Sequence, residues 1–346
     1  MSGVWHLGVT NRDFEDKRKA IMHTAIRTLA VAGFIAATIP TVYAADTDKA
    51  WPNSTVRLMT GPAGSSPDAV ARTLADAFAK RWNQPVIVEN RAGADHILAV
   101  QGFLEAQDGH TLLFTTHSAL TVNPLLHAKL PYDPERDFAP ISLAVEDFLC
   151  VAAAPSLGMN SLSGLVKLAA AKPGELNAYA VPGSPHLSWL AFQKRAGIST
   201  AFVPYKTPIG ALADLSEGRI HVAVVPFAVV RGQAEAGRIK VLAVTNAART
   251  PAAPEIPTVT EAGYPDFTFG GLLGLFGRND MAPALQERIA LEMREILNEP
   301  EVRKRLTNLG LLIRGTTPAE FRTVIGEQRA KWANLARAHD IRPRGQ

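Results

Sequence analysis

From Thr55 onward, short apolar runs alternate with longer amphipathic stretches, and Gly/Pro/Ser-rich loops separate them. Residues 55–60, 86–89 and 111–115 read as strands, with helices at 67–82 and 97–105 between them. At these lengths the rhythm demands parallel strands joined by crossover helices, an α/β fold. A second cycle follows. Strands at 148–153, 177–181, 201–203, 221–225 and 241–245 alternate with helices at 161–171, 187–196, 210–216 and 229–236. Ser161 stands where an N-cap belongs. PYDPERDFAP, residues 131–140, reads as a rigid surface connection. The tail is helical, with one helix at 283–298 and another behind the capping box Thr317-Pro318-Ala319-Glu320, carrying Phe321, Ile325 and Trp332. Joints near Asp147 and Thr268 let the chain cross into a second lobe and return. The expected organisation is lobe 1 from residues 45–147 and 268–346, an inserted lobe 2 from 148–267, and a cleft between them.

The first 44 residues stand apart. From Met22 the chain reads MHTAIRTLAVAGFIAATIPTVYAADT, with Arg27 ahead of an apolar run that Pro40 breaks and Val42-Tyr43-Ala44 in the small-x-small form of a signal-peptidase site. The run is too short to span a bilayer. The expectation is a signal peptide within residues 1–44, starting at Met1 or at Met22, with cleavage after Ala44 and a soluble periplasmic product. No cysteine follows the cut, which argues against a lipid anchor. Net charge is +4 with Lys and Arg scattered, so nucleic acid is not the expected partner. Cys150, the one cysteine, sits in the apolar run FLCVAAA and reads as a small buried hydrophobe.

The loop GPAGSSPD, residues 61–68, points to function. Ser66 reads as an N-cap, Pro67 as the first helical position and Asp68 as the next. Glycines at 61 and 64 let backbone approach a ligand, and free N–H groups at a helix start attract anions. AYAVPGSPHLSWLAF repeats the device, with Ser184-Pro185 in the place of Ser66-Pro67. Two such starts facing one cleft would clamp a carboxylate. Signals of chemistry are weaker. There is no GxSxG elbow, HExxH, Walker loop or GxGxxG, and the histidines have no metal-ligand spacing. His117, Ser118, His186 and Asp68 contain the residue types of a hydrolytic triad, but nothing in the sequence brings them together. GGLLG at 270–274 reads as close packing or a hinge.

Several further stretches, in this order and spacing, make the chain resemble the Bug-type periplasmic solute receptors of tripartite tricarboxylate transporters. They include QPVIVENRAGA, DGHTLLFTT, NPLLHAKLPYDPERDFAPIS, AKPGELN, FVPYK, GRIKVLAVT and PEIPTVTEAGYP. The resemblance covers nearly the whole chain after residue 44. It implies a two-lobed type II periplasmic-binding-protein fold, each lobe a mixed sheet flanked by helices. It also implies a monomer that binds a small carboxylate between the lobes without cofactor, metal or catalysis, and delivers it to integral-membrane permease subunits. Carried over, the ligand-binding residues are Pro62, Ala63, Gly64, Ser65, Ser66 and Asp68, then Thr116, His117 and Ser118, and in lobe 2 Gly183, Ser184 and His186. A sensor docking on a histidine kinase, or an exported hydrolase, are the alternatives. The chain departs from the family pattern at PAGSSP, at PGSP, at Val225-Pro226-Phe227 and at FGGLLG, residues 269–274. A less polar cleft floor there suggests a less polar or aromatic carboxylate.

Overall fold

The computed structural model describes residues 3, 51–250 and 253–343. The leader and its cleavage site lie outside the described residues. In chain order the elements are β1 Val56–Thr60, α1 Ser66–Trp82, β2 Val86–Asn90, α2 Ile97–Glu105, β3 Thr111–Thr116, α3 Ser118–Thr121 and α4 Asn123–Leu126. Then come β4 Phe138–Asp147, β5 Leu149–Ala153, α5 Leu162–Ala171, β6 Asn177–Ala180, α6 Ser184–Ala196, β7 Ala201–Phe202, α7 Pro208–Ser216, β8 Val222–Pro226, α8 Phe227–Glu235 and β9 Lys240–Val244. The last are β10 Gly271–Arg278, α9 Pro283–Asn298, α10 Pro300–Asn308, β11 Leu312–Ile313 and α11 Pro318–Ala338.

They build two mixed sheets flanked by helices. One is six-stranded, in the order β11-β4-β10-β3-β1-β2, and the other five-stranded, β7-β6-β8-β5-β9. The parallel pairs β1–β2, β1–β3, β6–β7 and β6–β8 are the ones joined through helices. That is the outcome the strand–helix rhythm dictates. Because helices cover both faces, the central strands are apolar throughout rather than alternating. Along β3, Leu112 and Phe114 enter the core under α1 and α9, while Leu113 enters the one under α2 and α11. Along β5, Leu149, Val151 and Ala153 face one core and Cys150 and Ala152 another. Cys150 is fully buried, as its apolar setting implies, and burial pushes its thiol pKa up.

Two long strands depart from the sequence reading. The end of PYDPERDFAP begins β4, which pairs antiparallel with β10 along the length of both. All of GGLLG but its first residue belongs to β10, Gly271–Arg278. Its glycines serve close packing: a Cβ on Gly274 would stand 2.3 Å from Phe321 Cζ, and one on Gly277 2.7 Å from Met281. β4 runs through Phe148 directly into β5, and the chain comes back from β9 to β10. The passages are tied together where Thr245 Oγ1 donates to Phe269 O at 2.8 Å and Leu149 N donates to Asn246 Oδ1 at 3.2 Å. α11, opened by the expected capping box at Thr317, reaches past the first sheet and buries Trp332 in the core of the second.

Candidate functional site

A cavity of about 710 Å³ opens between the loops that leave the two sheets. The end of β1 and start of α1 contribute Pro62, Ser65 and Ser66. β3 contributes Thr116, and the end of β4 contributes Asp147. From the other sheet come Tyr179, Ser184 and His186, with Phe202 and Tyr205. The wall is largely apolar, with Leu126, Leu149, Val181 and Leu273 beside these rings. His186 stacks on Phe202 at 4.3 Å and 9°, and Tyr179 meets Tyr205 edge-on at 5.6 Å. Lys206 is the only Lys or Arg among the lining residues, and it is exposed.

Of the residues carried over from the sequence, Pro62, Ser65, Ser66, Thr116, Ser184 and His186 line this cavity, and Ala63, Gly64, Asp68, His117, Ser118 and Gly183 do not. Ala63 is exposed, and Gly64 borders a smaller neighbouring pocket of about 280 Å³ beneath Ile209. The N-cap of α1 is Ser65, one residue before the expected Ser66. Its Oγ accepts from Asp68 N at 3.4 Å. Asp68 turns back into the loop, where its carboxylate accepts from Gly64 N at 2.9 Å, Asn90 Nδ2 at 2.8 Å and Arg72 Nε at 3.2 Å. Burial works to raise its pKa, but these donors outweigh burial and hold the carboxyl below the usual range. Asp68 therefore shapes the loop and stands outside the cavity lining.

His117 is a core residue. Its Nδ1 pairs with Thr121 Oγ1 at 2.8 Å and its ring stacks on Trp332. Burial drives its pKa down to about 3, with a smaller push from Lys331, so the imidazole stays neutral. Ser118 Oγ accepts from Ser184 N at 3.0 Å and joins α3 to the start of α6. Gly183, at φ +93°, makes that approach possible, because a Cβ there would lie 2.6 Å from Ser118 Cβ. The anion clamp foreseen at two helix starts is accordingly half filled. At α6, Ser184 N–H goes to Ser118, Pro185 has none, and His186 N–H goes to Val181 O at 3.2 Å. At α1, Ser66 N–H takes no partner among the described residues.

Sequence reasoning missed three lining groups. Asp147 is 2% exposed, and burial raises its pKa to about 7. The nearby Ser66 hydroxyl draws that value back slightly, but no well-formed hydrogen bond joins the two: Ser66 Oγ and Asp147 Oδ1 are both buried without a partner. His96 is buried against Gly61, and its pKa falls to about 4 through burial, with Asp95 opposing. Asp95 and His96 both hold left-handed backbone, at φ +56° and +69°, a conformation costly outside glycine and frequent at ligand sites. Asp95 also pairs with His127 Nε2. The loop NRAGADH around them was legible only as a loop. No cluster of metal-ligating side chains occurs among the described residues.

Residues 70–341 match the family model described as "Tripartite tricarboxylate transporter family receptor". Protein BugT of Bordetella pertussis is 30% identical over 319 residues, covering 90% of this chain and 97% of BugT. Among solved structures, an R. palustris protein with adipate superposes with a TM-score of 0.80 at 26% identity, covering 85% of this chain and all of the other. MatC from Rhodopseudomonas palustris with bound malate gives 0.76 at 26% identity, covering 81% and 99%.

Proposed function

The chain belongs to the tripartite tricarboxylate transporter family of receptors, and on that premise we propose that it binds a small carboxylate in the cavity and passes it to a membrane permease. The observation that carries the reading is the cavity itself. It is large enough for a small organic acid, it has apolar walls, and its polar groups gather around the start of α1 and the end of β4. Similar chains hold adipate and malate. We take the two sheets as two lobes, divided at the β4–β5 and β9–β10 passages, that close over the acid by hinging there. The apolar walls favour an acid with an aliphatic or aromatic body over a compact polyacid. Binding, without turnover, is the role this supports. His117 and Ser118 are each engaged elsewhere, so they do not form a nucleophile and its base. Residues 1–44 act in this reading as a leader that directs the chain to the periplasm.

A thermal-shift screen tests the proposal. The chain from Ala45 onward is unfolded, refolded to remove any retained ligand, and melted with adipate, malate, hexanoate, benzoate and citrate. A ligand at a hundred times its Kd stabilises by about 2.7 kcal/mol. In a chain of this size that raises the melting temperature by roughly 4 °C. Shifts with hexanoate, adipate or benzoate that exceed the shift with citrate support the reading. Equal or larger shifts with citrate refute the preference for an apolar body, and no shift with any acid refutes the carboxylate reading.

A further inference from the structure

Ser66 and Asp147 come from different elements, the start of α1 and the end of β4, and meet at the cavity with their polar side chains unused. Ser66 is 4% and Asp147 2% exposed, and neither Ser66 Oγ nor Asp147 Oδ1 has a hydrogen-bond partner. Buried polar atoms are seldom left unpaired, and when they are, at the edge of a cavity, an absent ligand is the natural partner. Gly271 of the neighbouring strand lines the same cavity. Asp147 pairs in register with Gly271 of β10, where a Cβ would already stand 3.1 Å from Asp147 Cβ. We propose that Ser66 and Asp147 form the subsite for the ligand's carboxylate, Asp147 in its protonated form donating an O–H···O⁻ hydrogen bond, so that wherever the empty site is ionised the receptor takes up a proton with the acid it binds. The proposal rests on the carboxylate reading above and adds to it the anchoring residues and the coupled proton.

The surroundings favour the protonated form. β4 brings Glu146, which Arg314 and Asn246 hold, and β5 brings the neutral Cys150 thiol. α1 brings Asp68, already engaged by Arg72 and Asn90. Across the cavity stand the Asp95–His127 pair, His96, His186 and the Tyr179 and Tyr205 hydroxyls, with Lys206 exposed. No guanidinium lines the cavity to neutralise two carboxylates side by side. An ionised Asp147 would repel the incoming acid in a poorly solvated space, whereas a protonated one completes a charge-assisted bond. Burial already brings the empty site to the point where the proton is about half bound at neutral pH.

The sign follows from linkage. An acid that selects the protonated form binds at full strength below the pKa of the empty site and loses about tenfold in affinity per pH unit above it. Starting from a pKa of about 7, affinity for an acid that stays ionised throughout falls by about thirtyfold from pH 6 to pH 8.5. The experiment is isothermal titration calorimetry of the refolded chain from Ala45 onward with adipate, malate, hexanoate and benzoate. It is run at pH 6 and 8.5, and at pH 8 in two buffers of different ionisation enthalpy, which count the protons. The expected result is the thirtyfold loss for the acid that binds, with nearly one proton taken up at pH 8. Asp147→Asn, whose amide donates at every pH, should bind within about threefold of the pH 6 affinity at both pH values and take up none. Proton-independent binding by the parent chain overturns the proposal while leaving the carboxylate reading intact. So does uptake that persists in Asp147→Asn, which assigns the proton to a histidine. Loss of binding in a folded Asp147→Asn at pH 6 also overturns it, since that is the behaviour of an ionised acceptor. Absence of binding by every acid at pH 6 removes the carboxylate reading and this proposal with it.

Discussion

Gly183→Ala measures how tightly the two sheets are joined behind the cavity. Gly183 has φ +93° and ψ −135°, a backbone region that costs an ordinary residue about 1–3 kcal/mol. The new Cβ would also lie 2.6 Å from Ser118 Cβ and 2.9 Å from its Oγ. Ser118 stands on a buried turn with 1% exposure and has little room to retreat, so its hydroxyl must leave the 3.0 Å bond from Ser184 N. That bond is worth about 1 kcal/mol net. Together the two effects predict destabilisation of about 2–4 kcal/mol. With a urea m-value of about 3 kcal/mol per M, the unfolding midpoint falls by about 1 M. Gly158→Ala is the control. It has φ +64° with nothing within 4 Å of the added Cβ, so it should cost only about 1 kcal/mol, from backbone strain alone. Urea unfolding followed by tryptophan fluorescence reads both. If Gly183→Ala shifts the midpoint no more than Gly158→Ala, the Ser118–Ser184 junction is not the constraint described.

Two further outcomes are expected. Gly274→Ala should destabilise by about 1–3 kcal/mol through overpacking, since its Cβ would strike Phe321 Cζ at 2.3 Å; adding Phe321→Leu should recover part of the loss in the same urea assay. Stability should also depend on pH through the buried histidines. The folded pKa of His117 is about 3 against about 6.5 when unfolded, so the unfolded state takes the proton first and this residue costs stability as pH falls from 6.5 toward 3. By pH 5 the cost is about 2 kcal/mol. His96 acts in the same direction, and Asp147, whose folded pKa is raised, acts in the opposite one between about pH 4 and 7. The difference between parent and His117→Phe therefore isolates the effect: the variant's urea midpoint should fall less between pH 7.5 and pH 5, and equal slopes refute it.

The strand–helix rhythm was legible because each short run carries β-branched or large apolar residues between strong turn signals, as VRLMT and TLLFTT do. β10 was not, because GLLGLFGR has glycine where a strand normally has a side chain, and only the folded chain supplies the reason: Phe321 and Met281 occupy those places. β4 was partly hidden because it begins inside a Pro/Asp-rich run, with Pro140 beside Phe276 in the ladder. The cap of α1 shifted by one residue because Ser65 and Ser66 are adjacent and either can bond the first turn. Within the site, local signals found the helix start and missed what distant elements bring. Nothing near His117 says that Trp332 will cover it, and nothing near Asp147 says that α1 will bury its carboxyl beside Ser66. The N–H at the start of α6 is taken for the same reason, since Ser118, whose hydroxyl accepts it, comes from the loop after the first sheet's β3.

For the acid proposed above, the difference between the two helix starts limits how the cavity can hold it. Ser66-Pro67 and Ser184-Pro185 start helices of similar build, yet among the described residues only the first has a leading N–H without a partner. The second uses its own to fasten the chain behind the cavity. With Asp68 turned inward and Lys206 exposed, the positive potential at the ligand is limited to one helix start, worth about half an elementary charge. Such a field suits one carboxylate better than two or three close together, because each further negative group would have to be buried beside apolar walls without a donor. On the reading proposed above, the remaining specificity rests on the shape of the wall formed by Tyr179, His186, Phe202 and Leu273.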